Sequence, residues 1–134
     1  MGDRKLPGIA SEDIGKCAHA IFRKGREFIG KTVGIAGDHL TGGQMASALT
    51  KALRQEVRYN DVSPEVYRDF AFPGAEDLGN MFQFKRDFES VFCGARSLEF
   101  SRALNPAMQT FETWLTGNGN RIPIEKGSQR ASGD

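Results

Sequence analysis

Between Pro73-Gly74 and Gly94, the residues Leu78, Met81, Phe82, Phe88, Val91 and Phe92 recur at intervals of three, four and seven, while Glu76, Asp77, Lys85, Arg86 and Glu89 fall mostly on the opposite side. The spacing predicts one amphipathic helix ending at Gly94. Burying a single phenylalanine contributes roughly 1.5–3 kcal/mol, so Phe82, Phe88 and Phe92 on one face require a packed partner. The last helix offers one through Phe111 and Trp114. Phe84 lies off the stripe and Phe72 sits in the turn before it, so both are open to three roles: core, the lining of a ligand pocket, or a contact with another protein.

The rest of the chain reads as short elements. Ser11-Glu-Asp-Ile looks like an N-cap with acids in the first turn, leading into Ile14, Cys17, Ala18, Ile21 and Phe22, with Gly25 as the stop. Leu6-Pro-Gly-Ile-Ala and Lys31-Thr-Val-Gly-Ile-Ala-Gly flank that helix as candidate strands, which suggests a parallel crossover. Thr41 and Gln44 form a capping box ahead of Met45, Ala48, Leu49, Ala52 and Leu53. Residues 57–61 alternate like a short strand, Ser63-Pro-Glu starts a brief helix, and Asn105-Pro106 reads as the start of the last one. Residues 1–116 are expected to form one unit, with 117–134 a flexible polar tail apart from Ile122-Pro-Ile124.

Charge narrows the function. With 18 Lys+Arg against 17 Asp+Glu, the chain has no electrostatic footprint for nucleic acid. No apolar run approaches the ~20 residues of a membrane span and no hydrophobic leader follows Met1, so a cytoplasmic protein without membrane contact is expected. Cys17 and Cys93 read as buried thiols.

No catalytic constellation emerges. Val33-Gly-Ile-Ala-Gly-Asp-His-Leu-Thr-Gly-Gly-Gln has the strand, glycine-rich turn and helix of a dinucleotide site, but Gly34, Gly37, Gly42 and Gly43 miss the offsets that bring backbone to a pyrophosphate. Neither Tyr59 nor Tyr67 has a lysine four residues on to depress a phenol's pKa. Cys17 and His19 diverge on a helix and share no metal, and no metal site is expected. His39 beside Asp38 reads as solvated loop or pocket lining, and Asp61, Glu65 and Asp69 as a solvated face.

Three stretches carry a family likeness. Phe72-Pro-Gly-Ala-Glu-Asp-Leu-Gly-Asn-Met-Phe-Gln-Phe, Leu104-Asn-Pro followed by Thr-Phe-x-x-Trp-Leu at 110–115, and Ser11-Glu-Asp-Ile-Gly agree in order and spacing. Over residues 6–124 the chain resembles the C-terminal part of the NmrA-like family, atypical short-chain dehydrogenases/reductases that include an NADPH-sensing regulator. The resemblance implies an α/β remnant of a doubly wound, Rossmann-type NAD(P)-binding fold, keeping its late strands and a mostly helical C-terminal lobe. It implies NADP(H) as the family's cofactor, which this chain alone is not expected to hold because the fingerprint has no counterpart. Only Gly8, Ile9 and Ala10, at the end of one such strand, would lie near a nicotinamide. Phe72, Phe82, Phe84 and Trp114 are the candidates for a pocket or partner contact. The implied function is a regulatory, non-catalytic binding lobe, with an NAD(P)H-dependent reductase of a quinone or small carbonyl as the alternative. A protein partner or self-association would cover the apolar face left by a missing half.

Overall fold

The computed structural model describes residues 1–124. Two short strands, β1 (Leu6–Gly8) and β2 (Asp38–Leu40), pair antiparallel with Leu6 opposite Leu40 and Gly8 opposite Asp38. Around them run seven helices: α1 (Ser11–Arg23), α2 (Gly42–Leu53), α3 (Pro64–Arg68), α4 (Ala75–Asp87), α5 (Glu89–Gly94), α6 (Leu98–Leu104) and α7 (Phe111–Asn118). Helix α1 packs on α6, α2 on α7, α3 on α4, and α5 against β1. No helix among the described residues is long and apolar enough to cross a membrane.

Local signals set several boundaries. The Thr41 hydroxyl accepts from the Gln44 N–H at 3.1 Å while the Gln44 side chain accepts from the Thr41 N–H at 2.9 Å, a closed capping box. Ser63 caps α3 with Pro64 in its first turn. After α1, Gly25 takes φ +62° and leads into a 3-10 turn over Gly25–Phe28.

The sheet departs from the parallel crossover. Residues 31–37 form no strand: the Ala36 N–H donates to the Ser101 hydroxyl of α6 at 3.0 Å, and only the Gly37 N–H reaches the end of β1, at the Gly8 carbonyl, 2.8 Å away. The pairing partner of β1 is the next segment, Asp38–Leu40, in the opposite sense. The expected strand at 57–61 does not form either, since its Val57 N–H is bonded to the Thr50 hydroxyl of α2. What stands is a mixed α/β fold with a small sheet.

Three helix ends also move. Ala10, which has no capping side chain, precedes α1, so Ser11 is its first helical residue. The long apolar helix breaks at Phe88, whose backbone leaves the helical region at φ −115°. Asn105-Pro106 ends α6 instead of starting a helix, and Thr110 caps α7. Helical structure continues past Gly117 through a 3-10 turn at Gly119–Arg121, and the expected polar tail over 125–134 lies outside the described residues.

The buried apolar residues among those described are mostly small: Cys17, Ala36, Ala46, Ala48 and Ala75, with Leu104 and Leu115. The α4 part of the stripe packs chiefly on α3, where Tyr67 meets the Phe82 ring edge-on at 5.4 Å, and the α5 part against β1, not on α7. Leu78, Phe88 and Val91 stay exposed, so the stripe is only partly core.

One backbone feature gives a direct test. Arg54 ends α2 in the left-handed region at φ +52°, which costs a residue with a Cβ more than it costs glycine. Arg54→Gly is expected to raise stability by about 0.5–1 kcal/mol, read as a higher urea midpoint at unchanged slope.

Candidate functional site

A cavity of about 370 Å³ opens where the chain leaves β1 and enters α1. Its walls come from Leu6 to Ser11, from Asp38 and Leu40 of β2, from Met45 of α2, and from Gln109 to Phe111 and Trp114 at the start of α7. Gly8, Ile9, Ala10 and Trp114, which sequence reasoning places at two separate sites, therefore line the same space.

Two carboxylates hold that wall. Asp13 on α1 is fully buried, and one oxygen accepts from the Gln109 N–H at 2.8 Å while the other accepts from the Asn105 amide at 3.0 Å and from the Lys16 ammonium at 3.1 Å. Burial by itself raises the Asp13 pKa, but the Gln109 N–H, Lys16 and Asn105 outweigh it and hold the carboxyl below its ordinary value. From the other side, Asp38 accepts from the Phe111 N–H at 3.2 Å and from the His39 N–H at 3.1 Å. Its charge sits at the N-terminal end of α7, where the helix dipole favours an anion. The 105–111 linker is thus tied to α1 and to β2, and the cavity wall is set before any ligand arrives.

The remaining candidates lie elsewhere. Phe82 lines a neighbouring cavity of about 280 Å³ with Tyr59, Val57 and Leu49, separated from the first by Leu6 and Met45, which face both. Phe72 is exposed and belongs to a ring cluster, 6.0 Å from Tyr67 and 6.4 Å from Phe70. Phe84 is exposed too, stacked 5.1 Å from Phe88 and 6.4 Å from Phe92. The Arg96 guanidinium lies 3.8 Å from the Phe92 ring centre and the Lys85 ammonium 5.2 Å from it. The four candidate aromatics are thus spread over four places. Sequence reasoning missed Leu40, Met45 and Gln109 as lining residues. Asp38, which does line the first cavity, carried a signal through its place beside His39 at the head of a strand.

Chemistry on the described residues is sparse. His39 Nε2 donates to the Arg96 carbonyl at 2.9 Å, and the ring lines none of these cavities. Cys17 and Cys93 are free thiols; burial pushes both up, with Asp13 adding for Cys17 and Glu89 for Cys93, which keeps them protonated and weak as nucleophiles. Burial and Asp61 likewise raise Tyr59. Asp61 is held at about 2 by the Gly2 N–H, the Met1 ammonium and Tyr59, so it is a tied-down anion and no proton donor. Among the described residues no group of three His, Cys, Asp or Glu side chains is placed to hold a metal.

The glycine-rich loop is built for packing. A Cβ on Gly34 would overlap the Ala95 carbonyl oxygen, and one on Gly37 would stand 2.7 Å from the Gln109 carbonyl oxygen. On Gly42 it would meet the Tyr59 ring at 2.5 Å. The faces that a pyrophosphate would need are occupied by the protein itself. The Gly37, Thr41 and Gln44 amides are already bonded to Gly8, Gln44 and Thr41 respectively. Those three amides are therefore not free to hold a diphosphate. Against known families, the model of the NmrA-like family matches residues 2–115.

Proposed function

The chain belongs to the NmrA-like family, matched over residues 2–115, and from that premise we propose that it is a non-catalytic binding lobe of an NAD(P)H-linked regulator. The family provides the general class, NAD(P)-binding regulators and proteins of the short-chain dehydrogenase/reductase type. The finer reading adds that these residues are a remnant of the doubly wound fold, with β1 as one of its late strands and the nucleotide cradle missing. It is read as a cytoplasmic protein.

One observation carries this proposal: in the turn that most resembles a phosphate cradle, the faces of Gly34, Gly37 and Gly42 lie against Ala95, Gln109 and Tyr59, and the Gly37 amide is bonded to Gly8. Further support comes from the aromatic side chains left in solvent. Phe84 and Phe88 are each about half exposed, at 50% and 52%, as expected of a surface that a protein partner or second copy covers.

The test is a titration of the chain with NADPH, followed by cofactor fluorescence and by melting. A ligand that binds only the folded state adds about 2.7 kcal/mol at a hundred times its dissociation constant, several degrees for a chain of this size. No shift is expected here. A saturable rise would overturn the proposal, and NADPH oxidation with a quinone or small carbonyl acceptor would install the reductase reading in its place.

A further inference from the structure

We propose that the cavity between β1, β2 and α7 is a binding site for a neutral, planar aromatic molecule carrying an O–H or N–H donor, and not for an anionic group such as a dinucleotide diphosphate. This goes beyond the regulatory reading and does not depend on it. Its volume of about 370 Å³ lies at the small end of ligand sites, the size of a fused two-ring compound. Leu6, Leu40, Met45, Phe111 and Trp114 supply apolar and aromatic walls, none of them fully buried, so a ring entering there removes apolar surface from water on both sides.

The polar groups set the sign and the hydrogen-bond sense. Among the described residues, Asp38 is the only charged side chain lining the cavity. Each of its oxygens accepts one backbone N–H, which leaves lone pairs that a ligand donor can use. A ligand carboxylate or phosphate would instead face a fixed negative charge in a partly desolvated space, with no cation on the wall to offset it. Ser11 adds a hydroxyl that is free of the capping role expected for it and makes no hydrogen bond among the described residues. The walls are held in place by Asp13 and Asp38 through the 105–111 linker, so little ordering is left to do on binding.

Amide chemical-shift mapping with 2-naphthol and with 2-naphthoate tests this, since the two probes share a ring system and differ in charge and donor. Saturable shifts at Gly8, Ile9 and Phe111 are expected with 2-naphthol, and binding of 2-naphthoate at least about tenfold weaker. Asp38→Asn should narrow that gap by roughly threefold or more, since the charge is removed and an acceptor kept. Should Asp38→Asn fail to fold, Gly8→Leu decides: a Cβ at Gly8, on the cavity wall, meets nothing within 4 Å, so the side chain branches off without backbone overlap, and 2-naphthol binding should fall about tenfold. Equal binding of the two probes, shifts confined to other surfaces, no binding of 2-naphthol up to its solubility, or unchanged binding in Gly8→Leu would each overturn the proposal.

Discussion

Replacing Asp13 with alanine is expected to lower the free energy of unfolding by about 3–5 kcal/mol, a fall in melting temperature of roughly 10–20 °C. The side chain is fully buried, and its removal leaves the Asn105 amide and the Gln109 N–H without their acceptor in the interior. Each orphaned donor costs about 1–3 kcal/mol, because water that would satisfy it is excluded. Glu12, one residue away and exposed, should tolerate alanine within about 0.5 kcal/mol. The double variant with Asn105→Ala should be less destabilised than the sum of the two single changes, since the second removes a donor that the first left unpaired. Acid adds an independent signature. The folded Asp13 pKa lies below the unfolded one, so ionised Asp13 favours the fold at neutral pH. That contribution is lost as pH drops below the ordinary carboxylate value of about 4, and the acid limb of the stability curve should flatten in Asp13→Ala.

Gly34→Ala is expected to cost about 3 kcal/mol through a different mechanism. The new methyl would overlap the carbonyl oxygen of Ala95, in the backbone joining α5 to α6, which cannot swing aside as a side chain would. Gly15→Ala serves as the matched control. Gly15 lies inside α1 with nothing within 4 Å of an added Cβ, so there the same change should stabilise by about 0.5–1 kcal/mol. Opposite signs from one chemical change would show that the glycine-rich loop is fixed by packing. Urea denaturation of the three proteins measures it.

What the sequence made legible was local. The Thr41–Gln44 box, the Ser63-Pro64 start and the Gly25 stop each depend on residues within a few positions, and the structure keeps all three. Contacts across the chain were hidden. Asn105 before a proline has the form of an N-cap, yet its side chain answers to Asp13, 92 positions away, and α7 waits for Thr110. The Val33–Ala36 stretch has strand composition but pairs with no strand, and its Ala36 N–H turns to the Ser101 hydroxyl. The aromatic stripe was correctly sensed as needing a partner, but which helix supplies it follows from the break at Phe88 and from the Tyr67 contact. The same limit applies to the site. Gly8 to Ala10 and Trp114 stand out singly, but their sharing a cavity is set by the Gln109–Asp13 and Phe111–Asp38 bonds, which span 96 and 73 positions.

At the centre stands the claim that the loop from Gly34 to Gln44 is fixed by the protein's own packing at Gly34, Gly37 and Gly42, with the Gly37, Thr41 and Gln44 amides already bonded within the protein. Amide chemical shifts of the chain recorded through an NADPH titration probe it residue by residue. The account predicts that the Gly34, Gly37, Thr41 and Gln44 signals stay where they are up to millimolar cofactor. Saturable movement of those four signals together, with slowed exchange at the start of α2, would contradict it.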